Sequence, residues 1–150
     1  MFAAMDGEFC LFLIGMRINR PLKIHKWLPV AMAMPRMLRE LEAKPELGLL
    51  SSDLWLGRTI LSLQYWRSAE HLAEYASNRK GQHLPAWAAF TRAIGDSGDV
   101  GIWHETYSVR AGSYETIYHN MPPFGLGRVA PLQPASGRYQ SAEGRMGKPS

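Results

Sequence analysis

One cysteine, Cys10, stands in a chain of 150 residues, so neither an intrachain disulfide nor a multi-cysteine zinc centre can form. It lies in the apolar run FCLFLIG, where a thiol is buried and inert rather than nucleophilic. Long hydrophobic runs are missing as well. No stretch approaches the roughly 18 apolar residues of a membrane span. The run from Phe9 to Met16 follows Asp6 and Glu8 instead of the basic residues that open a secretory leader. Charge is sparse, at 20% of residues, and the formal +4 is spread along the chain. Arg39 adjoins Glu40, Glu42 is close to Lys44, and Arg128, Arg138, Arg145 and Lys148 lie beyond Gly127. Without a basic stripe, the phosphate term that nucleic-acid binding needs has no source. The expectation is a cytoplasmic protein with neither nucleic acid nor membrane as partner.

Chemical signatures are equally few. His25, His71, His83, His104 and His119 show no HExxH or related ligand spacing, so no metal site is expected. A Gly-rich phosphate loop, a GxSxG elbow and a dinucleotide fingerprint are all absent from the sequence, which argues against nucleotide cofactors and serine-hydrolase chemistry.

What the chain does have is apolar and aromatic side chains: 46% hydrophobic residues, with five Trp and six Tyr. That is enough for one full core and for a concave site accepting flat organic molecules. Phe9 to Asn19 reads as a strand covered on both faces, ended by Arg20-Pro21. Between Trp27 and Leu41, Val30, Met34, Met37, Leu38 and Leu41 share a helical face. The Met-rich run Met32, Met34 and Met37 is expected in the core, and Pro35 to kink this helix or start a second one.

Leu49 to Leu56 and Thr59 to Trp66 read as strands joined at Gly57, the first of them irregular or an edge. Ser68 is suited to cap a helix running to about Ser77, and a further helix carries Leu84, Trp87, Ala88, Thr91 and Ile94. A strand follows from Val100 to Val109, then another from Tyr114 to Asn120. The order β-α-β-β-α-β is that of the ferredoxin-like split βαβ fold: α+β, with helices on one face of an antiparallel sheet. A partner sheet is the simplest cover for the opposite face. Residues 1–128 are expected to form the domain and 129–150, dense in Pro and Gly, an extended and partly disordered tail.

Three stretches together resemble a known family: GMRINRPLKIHKWLPV from Gly15, LQYWRSAEHLAEYASN with HLPAWAAF from Leu63, and GIWHETYSV with YETIYHNMPPFGLG from Gly101. They are similar to the small monooxygenase-like, phenylacetaldoxime dehydratase-like proteins of the dimeric α/β-barrel superfamily. The resemblance spans Phe9 to Arg128. It implies a homodimer with sheets packed face to face, and a small-molecule pocket in each subunit between sheet and helices. It implies no fixed chemistry, because such relatives include cofactor-free oxygenases, haem enzymes and isomerases.

His104, mid-strand with Ile102 and Thr106 on one face, is the first candidate for a catalytic group, as general base or as axial ligand should haem be bound. Glu105 points the other way, toward an intersubunit or interhelical salt bridge. Arg17 and Asn19 end the first strand, where Arg17 would stabilise an enolate or carboxylate and Asn19 would hydrogen-bond a carbonyl, and Gly15 on the same face leaves room for a ligand or a close-packed helix. Tyr65, Trp66, Trp87 and Tyr118 are expected as aromatic walls, and His83 as a gate. The leading function is a monooxygenase-like enzyme acting on an aromatic or polyketide-like compound without a cofactor. The alternatives are a haem-dependent aldoxime dehydratase-like enzyme, another lyase or isomerase, or a protein that only holds a hydrophobic ligand.

Overall fold

The computed structural model of the chain describes residues 1–77 and 92–147. A short strand β1 (Phe2–Ala3) leads into β2 (Phe9–Ile18), helix α1 (Ile24–Glu42), the hairpin β3 (Leu49–Trp55) and β4 (Thr59–Trp66), helix α2 (Ala69–Ser77) and β5 (Val100–Val109). The last strand, β6 (Leu132–Gln133), pairs only with β1. The other four strands form one sheet in the order β3-β4-β2-β5, every neighbour antiparallel. This is the ferredoxin-like α+β arrangement that the element order predicts.

Alternation decides what each sheet face buries. Cys10, Ile14, Met16 and Ile18 of β2, with Ile60 and Trp66 of β4, turn to the helices. There they meet Val30, Ala33, Met34, Met37 and Leu41, which recur at helical spacing on α1. Each of the larger side chains in this core contributes roughly 1.5–3 kcal/mol by leaving water. Ser68 caps α2 through its hydroxyl, which accepts from the His71 backbone N–H at 3.3 Å and lies 2.7 Å from that ring's Nδ1. The His71 ring packs against Gly48, whose φ of +97° closes the turn into β3 and whose hydrogen in place of a Cβ makes the room.

Three expectations change, while β3 is the irregular edge strand that was expected. Helix α1 begins at Ile24 and continues as one element through both Pro29 and Pro35, so no second helix starts at Pro35; its burial against the sheet outweighs the hydrogen bonds that the prolines remove. Met32 is not core: it lies on the outer side of α1, 52% exposed. β3 starts with a bulge between Leu49 and Ser51, so Ser51, Asp53 and Trp55 face away from the helices. Tyr114 to Asn120 is extended but pairs as no strand. It is held along the N-terminal segment by Thr116 Oγ1, which accepts from Ala3 N–H at 2.7 Å, and by the Tyr114 hydroxyl on Met5. The helix expected over Leu84 to Ile94 is described only at its end, where residues 92–94 are helical and Ile94 packs against the core; the rest lies outside the described residues.

Residues 129–147, expected as a tail, carry β6, a 3-10 turn at Gly137–Gln140 and a helical turn at Ala142–Arg145. Ala130 shares a small second cluster with Ala3, Phe9 and Leu126. Phe2 stacks on Tyr139 with centroids 4.8 Å apart. Among the described residues, no helix is long and apolar enough to cross a membrane.

Candidate functional site

Strand register fixes which candidates can meet. On the helix-facing side, His104 of β5 lies opposite Ile14, which lies opposite Ser62 of β4; one row along, Thr106, Phe12 and Gln64 align. His104 is exposed, its ring 5.7 Å from that of Phe12. At the centre of the sheet the polar groups are sealed. Ser62, Gln64 and Trp66 are all at most 1% exposed. Trp66 Nε1 donates to Gln64 Oε1 at 2.9 Å, and Gln64 Nε2 donates to Ser62 Oγ at 3.2 Å. The side thus joins a buried, internally satisfied amide ladder to an accessible imidazole at its edge, with Phe12, Ile14 and Ile102 between and beside them. The ladder was not anticipated, although the alternation of ILSLQYW places its three members on one face.

The other catalytic candidates do not join His104. Arg17 is on the opposite face, three residues along β2 from Ile14. Asn19 is engaged locally: its side-chain amide donates to the Gly98 carbonyl at 3.1 Å, and its backbone N–H to that of Asp99 at 3.0 Å. These contacts belong to a latch. Asp99, 2% exposed, receives Arg20 Nη1 at 3.1 Å and Lys23 Nζ at 3.2 Å, tying the start of α1 to the entry of β5. Burial alone would raise the Asp99 pKa, yet Lys23, Ser97 and Arg20 together hold it below the usual aspartate range.

Trp66, expected as a pocket wall, is core, stacked on Tyr75 at 5.5 Å. Tyr65 and Tyr118 do come together, but on the far side of the sheet. They pack in the second cluster under a 3-10 turn at Gly125–Arg128. Tyr118 Oη donates to the Phe124 carbonyl and accepts from Gly127 N–H, both at 2.9 Å. Gly125, at φ +54°, sits so close over Tyr65 that a Cβ there would be 3.1 Å from the hydroxyl. Burial and the neighbouring Tyr118 push the Tyr65 phenol above its ordinary pKa, opposed by the Leu126 backbone N–H. Arg128 staples the same turn to β3 through Asp53 Oδ1 at 2.6 Å and the Ser52 carbonyl at 2.7 Å. Trp87 and His83 lie outside the described residues.

The face away from the helices carries Leu11, Leu13, Leu61 and Leu63, all half-buried, with Trp55, Trp103 and Tyr107 exposed at its borders. Gly15 offers no ligand space, because the Trp103 ring occupies it. Glu105, expected in a salt bridge, instead accepts from Trp103 Nε1 at 3.2 Å and from the Tyr107 hydroxyl. That hydrogen bond and the carboxylate's charge raise the Tyr107 pKa. Cys10 is buried and its thiol pushed up by desolvation, as befits an inert position. Among the described residues no cluster of three His, Cys, Asp or Glu could hold a metal ion. A cavity of about 700 Å³ opens between the N-terminal segment and residues 138–147, and none of the described candidates above lines it.

Comparison with known proteins bears on this fold as a whole. The model of the "Monooxygenase af470-like" family matches residues 9–126. Monooxygenase af470 of Aspergillus fumigatus is 29% identical, the match covering 81% of this chain and 46% of that protein. Two solved structures are similar in fold. Aldoxime dehydratase (OxdRE) in complex with butyraldoxime has a TM-score of 0.62 at 17% identity, covering 86% of this chain and 39% of that one. A second aldoxime dehydratase has a TM-score of 0.58 at 19% identity, covering 87% and 43%. The chain spans less than half the length of each of these relatives. With the whole four-stranded sheet, α1 and α2 inside the matched region, this chain belongs to the monooxygenase af470-like family.

Proposed function

We propose that the protein is a small-molecule oxygenase acting on an aromatic or polyketide-like compound at the helix-facing edge of the sheet, beside His104. The observation that carries this reading is the family match, which includes all of GIWHETYSV. Its support at the site is an accessible imidazole bordered by Phe12 and Ile102 next to a sealed ladder of buried hydrogen bonds. A planar substrate would lie against those side chains, and His104 would take the proton of an activated C–H or phenolic O–H. The resulting electron-rich anion reduces oxygen and combines with it to a hydroperoxide. For a methylene carbon, loss of water then leaves a carbonyl, so that CH2 and O2 give C=O and H2O. His104 returns its proton to the departing oxygen. Exclusion of water by the apolar neighbours favours the anion's reaction with oxygen over its reprotonation.

The assembly proposed with it is a homodimer in which a second copy covers Leu11, Leu13, Leu61 and Leu63. Oxygen consumption with a panel of hydroxyaromatic and polyketide-like compounds, read with product mass, tests the activity. Background uptake across the panel removes it.

A dehydratase reading draws support from the fold shared with the two aldoxime dehydratases. Were haem bound, His104, an accessible imidazole among Phe12, Ile14 and Ile102, would be the residue to hold its iron, and haem would supply a Lewis acid. A Soret band on haem addition, lost in His104→Ala, would favour it over the cofactor-free oxygenase.

A further inference from the structure

Helix α1 buries one face and leaves a second apolar stripe bare. Ile24, Leu28 and Met32, one helical turn apart, are 54%, 41% and 52% exposed, and Leu22 in the preceding turn is 97% exposed. A solvent-facing helix surface is normally polar, so these four side chains are unexplained by the fold. Their electrostatic setting is cationic up to the last turn of the helix, where Glu40 and Glu42 follow. From Phe9 to Arg39 the sequence has no Asp or Glu, while Arg20, Lys23, Lys26, Arg36 and Arg39 fall within or beside the helix. Asp99 offers a single carboxylate to Arg20 and Lys23 together. Lys26 and Arg36 are exposed, as is His25, and Arg36 continues the stripe one turn beyond Met32.

We infer that this surface docks on an anionic lipid membrane, with Leu22, Ile24 and Leu28 entering the acyl boundary and Lys26, Arg36 and Arg39 at the headgroups. An apolar stripe flanked by cations is the pattern that binds an anionic bilayer surface in its plane. Charge complementarity selects lipid over a second copy, because an isologous contact through this patch would set cations against cations. The attachment is to the membrane surface, which reverses the expectation of no membrane partner and needs no crossing helix, none being present among the described residues. It is independent of the proposed reaction.

Co-sedimentation of the full chain with vesicles tests it, comparing phosphatidylcholine containing phosphatidylserine with phosphatidylcholine alone. Binding is expected only to the former, weakened by high salt. The double variant Lys26→Glu/Arg36→Glu should lose roughly fivefold in affinity or more per site changed. Leu22→Ser/Ile24→Ser/Leu28→Ser should lose binding altogether, with an unchanged far-UV spectrum showing that α1 persists. Equal binding to both vesicles, absence of binding, or indifference to both variants overturns the inference. So does a self-association, seen without vesicles by sedimentation equilibrium, that the triple serine variant abolishes.

Discussion

The ring of Trp103 lies directly over Gly15 of the neighbouring strand, so close that a Cβ on that glycine would fall 2.9 Å from Trp103 Cε3. The glycine makes the seat, and the seat aims the indole N–H at Glu105. Trp103 is 44% exposed and free to swing outward. Gly15→Ala should therefore cost no more than about 1 kcal/mol of stability, while releasing the Trp103–Glu105 hydrogen bond. The check is tryptophan emission, which should shift with little change in the thermal midpoint. A large fall in the midpoint would mean that Trp103 is locked in place.

The buried ladder makes an opposite prediction. Gln64→Ala strips the Trp66 indole N–H and the Ser62 hydroxyl of their partner and opens a void at a fully buried position. An orphaned donor and a cavity together cost roughly 2–5 kcal/mol. Urea denaturation should show a loss in that range, larger than for Gln64→Glu examined at low pH, where a protonated carboxyl still accepts the indole N–H. Equal losses in the two variants would mean that the hydrogen bond contributes nothing.

Asp99 should give stability an acid limb. Its folded pKa lies below the unfolded value, so the unfolded chain binds the proton more readily as pH falls through the ordinary aspartate range. Its stabilisation is present at neutral pH and disappears as pH drops through the folded pKa. Asp99→Asn, which keeps the shape but loses the pairing with Arg20 and Lys23, should lower the neutral-pH midpoint and flatten the decline on acidification. An acid limb of unaltered slope in the variant would rule the latch out as its source.

His104→Gln separates folding from function. The imidazole is exposed, and among the described residues its recorded neighbour is the Phe12 ring. Stability should stay within about 0.5 kcal/mol of the parent. If His104 is the base, oxygen consumption with an accepted substrate should fall roughly 100- to 10,000-fold. Activity preserved alongside preserved stability would leave His104 a surface residue.

The sequence by itself determined the sheet and its two faces. Alternation in TILSLQYW and the spacing of Val30, Met34, Met37 and Leu41 each encode one buried side, and a one-residue slip in the strand would expose it. The strand order follows from those elements and their connections. Local patterns, however, carry no information about long-range partners. His104, Arg17 and Asn19 each looked poised for chemistry, but register along β2 put Arg17 on the face opposite His104, and the loop at Gly98 claimed the Asn19 amide. The meeting of Tyr65 with Tyr118, the filling of Gly15 by Trp103 and the bare stripe on α1 were likewise decided in three dimensions. Each depends on which distant segment arrives to bury a side chain, and that is set by the packing of the whole chain.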